Sequence, residues 1–177
     1  KSVTGTGVVA RYYNYGVNSD GSQWSRVTVG APDSGLWEMT TTDLLGRILR
    51  VEKPGPKGTE TNWNRYDVNG RITAVGAPGH AETLTVYDDL GRPVRTGLDT
   101  DGNGILAPAS RDRIRESEVT YAKIDGTWWQ ESVERIYARD DDGTPTRTAI
   151  RRIRLTGLGA GGLIGESVAI DIHGNRT

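Results

Sequence analysis

Short runs of β-branched and aromatic residues alternate with clusters of Asp, Asn, Gly and Pro along much of the chain. Leu36 to Thr41 leads into Thr42-Asp43-Leu44-Leu45-Gly46-Arg47. Asn62 to Arg65 leads into Tyr66-Asp67-Val68-Asn69-Gly70-Arg71, and Thr83 to Val86 leads into Tyr87-Asp88-Asp89-Leu90-Gly91-Arg92. Runs of this length and composition pack well on a pleated surface and predict strands. The residues that follow predict tight turns. The aspartate carboxylate accepts from the backbone amide two residues on, and the glycine supplies the positive φ of a type I turn with a following bulge. After Arg92, Pro93-Val94-Arg95-Thr96 returns as the partner strand. No window sustains a helical period, so the expectation is an all-β chain of successive antiparallel hairpins.

The unit repeats. Arg47, Arg71 and Arg92 close three copies of the turn, 24 and then 21 residues apart. Val-Gly-Ala-Pro occurs at 29–32 and again at 75–78, and Lys53-Pro54-Gly55 lies between them; these pieces predict the looser connections between hairpins. A fourth copy is expected at Val168 to Arg176, with degenerate copies at Tyr137 to Gly143 and around Ser19-Asp20-Gly21. Clear repeats thus cover about 30–98 and 165–177, an insertion covers about 99–116, and degenerate repeats cover 117–164, all within one region, 1–177.

Composition supports thin sheets with many turns. Gly numbers 24, apolar residues make up 34%, below the usual share for a compact domain, and Phe and Cys are absent. Without cysteine there is neither a disulfide framework nor thiolate chemistry. A net charge of −1 provides no global field to recruit nucleic acid or an anionic membrane. No stretch approaches the roughly 20 apolar residues of a spanning helix, and Lys1-Ser2-Val3-Thr4-Gly5 has no signal-peptide core.

The recurring Tyr-Asp-x-x-Gly-Arg, each copy followed by a strand, resembles the RHS/YD-repeat family (tyrosine-aspartate repeats). That resemblance implies a β-sheet strip or solenoid that spirals into a shell around a toxin, or forms a cell-surface scaffold. It also implies a secreted or surface-attached bacterial protein without catalytic residues. The partners it implies are neighbouring YD repeats of the same or a longer chain, with a toxin cargo or surface glycans beyond them. Under it, Tyr66, Asp67, Gly70, Arg71, Tyr87, Asp88, Gly91, Arg92, Gly46 and Arg47 are structural: Tyr packs between hairpins, Asp caps the turn and Arg spans to a neighbouring carbonyl or carboxylate. The chain departs from complete members of the family in lacking their Asp-Pro-x-Gly-Leu segment and in being too short to close a shell alone.

Other residues suggest further chemistry. Asp99, Asp101 and Asn103, followed by Gly104, match the opening of a calcium loop, but Ser110 stands where the closing Glu belongs and Asp112 lies two residues beyond. An Asp/Asn/Gly turn is the simpler reading, and calcium is the one cofactor the sequence suggests. Trp37 and Trp63 hold similar places ahead of their turns, while Trp128 and Trp129 must point to opposite faces of a strand. Core packing explains such residues; an exposed one can also stack a sugar or anchor a partner, giving a carbohydrate-binding or adhesive module as the alternative. His80 and His173 are isolated, and Gly157 to Gly162 lacks a phosphate-loop ending. Arg147, Arg151, Arg152 and Arg154, interleaved with Ile150, Ile153 and Leu155, predict a strand with one charged face. No nucleophile elbow or convergent acid pair suggests an enzyme.

Overall fold

A computed structural model describes residues 1–5, 7–155 and 167–170. The chain divides into two compact units, Lys1–Glu82 and Thr83–Thr177. It is all β: the described residues contain thirteen strands and no helix, and therefore no helix long and apolar enough to cross a membrane.

The first unit is an open antiparallel sheet in which strand order is chain order. Its strands are β1 (Ser2–Gly5), β2 (Val8–Val17), β3 (Gln23–Val29), β4 (Trp37–Thr42), β5 (Ile48–Gly55), β6 (Gly58–Tyr66) and β7 (Ile72–Gly76). Register places Gly16, Trp24, Thr41, Arg50, Trp63 and Gly76 in one row across β2 to β7, with Arg26, Met39, Glu52 and Thr61 in the next row on the same face. This face holds the packing: Thr28, Thr41, Ala74 and Gly76 are buried, and the indoles are half-buried. Trp24 lies directly opposite Gly16, and Trp63 opposite Gly76. A Cβ built on Gly76 would sit 2.6 Å from the Trp63 ring, and one on Gly16 would collide with Trp24. The absent side chains are the space the indoles fill.

The loops of the first unit correct one expectation. The two Val-Gly-Ala-Pro segments lead out of β3 and β7 into connections, each with a turn in which Ser34 N donates to Ala31 O or His80 N to Ala77 O. Lys53-Pro54-Gly55, by contrast, lies inside β5. Pro54 pairs with Thr59, and Gly55 with Gly58, around a two-residue turn at Pro56 and Lys57. Hairpin pairing continues through the dipeptide that looked like a break.

The second unit comprises the rest of β8 (Glu82–Tyr87), β9 (Pro93–Asp99), β10 (Arg113–Ile124), β11 (Thr127–Tyr137), β12 (Thr146–Leu155) and β13 (Ser167–Ile170). Each strand again bonds its neighbour in sequence, antiparallel from β9 to β13. Leu84, Leu106, Ile114, Val133, Tyr137 and Ile150 are its buried apolar residues. Leu106 comes from the insertion, which ends at Asp112; residues 113–116 belong to β10. The loop folds back on the unit. Asp141 N donates to Ser110 O at 3.0 Å, and the Arg95 guanidinium donates to Leu106 O at 3.1 Å.

On β12 the expected single charged face does not form. Arg152 and Arg154 share a face with Ile150, whereas Arg151 shares the other with Ile153 and Leu155. The spacing of the arginines fits neither one face nor alternation, and each face is instead mixed. Of the fourth copy only residues 168–170 are described; His173 and the Gly157–Gly162 segment lie outside the described residues.

Candidate functional site

The three Asp-to-Arg turns share one set of bonds. In the first, Asp43 N donates to Arg47 O and Gly46 N to Asp43 O, both at 3.0 Å. One Asp43 carboxylate oxygen accepts from Leu45 N and Arg47 N, each at 2.9 Å, and the other takes Arg47 Nε at 2.6 Å. Asp67 binds Asn69 N, Arg71 N and Arg71 Nε in the same way, and Asp88 binds Leu90 N, Arg92 N and Arg92 Nε. Gly46, Gly70 and Gly91 have φ of 78°, 82° and 80°, as the hairpin reading requires. The bonds hold all three carboxyls below the usual carboxylate range. At Asp67 and Asp88 the backbone amide of the arginine is the largest influence; at Asp43 burial opposes the shift, and the amide and guanidinium of Arg47 outweigh it.

A fourth turn has the same backbone bonds with different residues. Asn18 N donates to Ser22 O at 2.8 Å, Gly21 N donates to Asn18 O at 3.0 Å, and Gly21 has φ of 85°. The side-chain bonds differ: Asn18 Nδ2 donates to Ser22 Oγ at 2.8 Å, and the Asp20 carboxylate accepts from Ser22 N at 2.9 Å and Ser22 Oγ at 2.7 Å. The degenerate copy expected around Asp20 is therefore phased from Asn18. Matching on Tyr-Asp missed it because Val17-Asn18 stands in that place; the surviving signal is Asn followed by Gly three residues later.

Adjacent turns are coupled through a tyrosine. The Arg47 guanidinium lies 4.8 Å from the centroid of the Tyr66 ring, and Tyr66 Oη donates to Ile48 O at 2.8 Å. Asn64 Nδ2 donates to the same carbonyl at 3.0 Å. Asp43 holds Arg47, and Arg47 covers the tyrosine that opens the next copy. In the second unit Glu116 on β10 plays a comparable bridging part, bound by Arg95 from β9 at 2.7 Å and by Arg135 from β11 at 3.4 Å. Tyr137, also facing Glu116, has its hydroxyl pKa raised by burial and by that carboxylate.

In the insertion the structure brings together Asp99, Asp101 and Asp112, with carboxylate oxygens within 4.8 Å of one another. Asp99 and Asp112 are 3% and 2% exposed. Both Asp99 oxygens accept backbone amides, from Gly102 at 2.8 Å and Gly104 at 2.7 Å. Asp112 accepts Thr100 N at 2.9 Å and Ala107 N at 3.1 Å. Asp101 is occupied by Asn103, whose own amide oxygen takes Ile105 N at 2.8 Å. Ser110, at the closing place, donates to Ala107 O at 2.7 Å. Burial raises the Asp112 pKa, but the Ser110 hydroxyl beside it and the amides of Thr100 and Ala107, which donate to its carboxylate, outweigh that, and the group is held low. The acids clasp the loop through its backbone.

The tryptophans separate by environment. Trp37 carries the Arg26 guanidinium 4.5 Å from its ring centroid. Trp63 lies on Gly76, and its Nε1 donates to Glu82 at 2.9 Å while Arg65 pairs with the same carboxylate. Trp129 is half-buried. Trp128, on the opposite face as adjacency demands, is 52% exposed. Trp24, which the sequence reading passed over, shares the face of Trp37 and Trp63. Compared with models of known protein families and with curated protein sequences, the chain matches none.

Proposed function

We propose that the chain is a non-catalytic scaffold segment of an exported RHS/YD-repeat protein, part of a β-sheet shell around a toxin or of a cell-surface scaffold in bacteria. The observation that carries this reading is the link from Asp43 through Arg47 to Tyr66. It uses the three residue types that define the repeat to fasten one turn to the next. A repeat whose defining side chains are spent on neighbouring repeats builds extended sheet, with stability that grows by nearest-neighbour contacts. The acids of these turns are held ionised by their own arginines and amides, which suits capping and not proton transfer.

The test is electron microscopy of the longer protein that carries this segment. A hollow or rod-like β assembly is the expected outcome, and a compact globule whose repeats make no continuous sheet would sink the reading. A glycan-binding surface module is the second reading, and the exposure of Trp128 favours it. In that case glycan-array binding disappears in Trp128→Ala and persists in Trp63→Ala, because Trp63 is committed to Gly76 and Glu82.

A further inference from the structure

Trp128 does not stand alone on its face of the second unit. Tyr121 on β10 lies opposite Gln130 on β11, two residues along that strand from Trp128, so the two rings are diagonal neighbours. Tyr121 is 57% exposed and Trp128 52%. Where Trp37 lies against Arg26 and Trp63 bonds Glu82, neither of these rings has a cation over it or a hydrogen bond among the described residues. The free charges around the pair have one sign. Lys123 lies opposite Trp128, and Arg151 on β12 lies opposite Ser132, two rows further along the same face. Both are exposed, and neither forms an ion pair among the described residues. The acids of these strands are already engaged. Glu134 pairs with Arg115, while Glu131 and Glu118 occupy the opposite face, bound by Arg152 and Arg135. Asp125, in the turn after β10, makes no ion pair with Lys123. Gln130 and Ser132 place an amide and a hydroxyl between the two cations.

We propose that this face binds an acidic oligosaccharide, with sugar rings stacked on Trp128 and Tyr121 and anionic groups, carboxylate or sulfate, met by Lys123 and Arg151. The inference rests on the glycan-binding reading above and adds to it the charge of the glycan and the residues that read that charge. Stacking on the rings is indifferent to charge, so the rings supply affinity and the two cations supply the choice of partner. Strand geometry sets Lys123 and Arg151 about 14 Å apart along the strands and about 10 Å across them, which calls for an extended ligand of several sugars. A single-stranded nucleic acid also stacks on aromatic rings. It carries a phosphate on every nucleotide, however, and two cations on a chain of net charge −1 make a poor track for such a backbone.

A glycan array of the intact chain, carrying neutral, uronate-bearing, sialylated and sulfated oligosaccharides beside oligothymidylate, decides between these ligands. Binding to acidic glycans alone is expected. Lys123→Gln/Arg151→Gln should weaken it about tenfold, the worth of two exposed charge contacts, with an unchanged melting temperature. Lys123→Arg/Arg151→Lys should keep it, and Trp128→Ala and Tyr121→Ala should each reduce it. Equal binding of neutral and acidic glycans, or a Gln variant that binds as the native chain does, would overturn the proposal and leave the glycan-binding reading standing. Acidic-glycan binding that survives both ring variants would place the site elsewhere and overturn it as well. Oligothymidylate bound more tightly than any glycan would make the face a nucleic-acid surface, and no binding to any member of the array would remove the proposal and the reading together.

Discussion

Gly46 shows how little of a turn's residue choice depends on contacts. A Cβ added there would meet nothing within 4 Å, yet φ is 78°. Gly46→Val should therefore lower stability by about 1–2 kcal/mol through backbone strain alone, read as a lower urea midpoint with an unchanged slope. Gly91→Val, at φ 80°, should lose at least as much. Tyr66 makes the opposite case, since its ring and its hydroxyl act on different groups. Tyr66→Phe should cost about 0.5–1.5 kcal/mol for the bond to Ile48 O, while Tyr66→Ala should cost more and should make Arg47→Ala cost less than it does in the native chain, with the bond from Arg47 to Asp43 accounting for what remains. Additive losses in that cycle would show that Arg47 and Tyr66 are not coupled. The turn residues were legible in the sequence because their reasons are local: a carboxylate reaches amides two and four residues on, and the glycine lies within the same turn.

At the scale of the element, legibility falls. Strand positions follow from composition, but which side chains meet depends on register, which is set across the chain. Nothing near Trp63 in sequence announces Gly76 or Glu82, and nothing adjacent to Trp128 marks it as the exposed member of its pair. The insertion is the clearest case. The spacing of Asp99, Asp101 and Asn103 suggested a cation, yet the folded loop turns these oxygens on its own amides. Asp112→Asn replaces one accepting oxygen by a donor that faces an N–H, so it should cost about 1–3 kcal/mol. Millimolar calcium or a chelator should leave the melting temperature where it is, since the oxygens of Asp99 and Asp112 already hold the loop through the amides of Gly102, Gly104 and Thr100. A calcium-dependent rise would show that these carboxylates take a cation as well.

For the molecule as a whole, the shared direction of the carboxyl shifts fixes how stability responds to acid. Asp43, Asp67, Asp88 and Asp112 all have folded pKa values below their ordinary value. Each therefore contributes stability that is fully present above the unfolded pKa of about 3.9 and is lost as pH falls through the lower folded value. Urea midpoints should be level between pH 7 and pH 5 and decline below about pH 4. Asp67→Asn should be less stable at pH 7 and show a shallower acid decline. A decline of unchanged steepness in that variant would place the acid sensitivity elsewhere.

The link from Arg47 to Tyr66 also has a direction in time. The arginine is always made before the tyrosine it covers. A nascent chain thus leaves the ribosome with a finished turn already displaying a cation, and the next hairpin brings the ring that lands on it. At about 5–20 residues per second, a 24-residue repeat arrives within roughly one to five seconds. That is ample for a hairpin, which closes in about 1–10 μs. Sheet of this kind can grow in the order of its synthesis, each unit waiting only for the next. Chains stalled just after Tyr66 emerges should protect the Asp43 turn from hydrogen exchange more than chains stalled just before it.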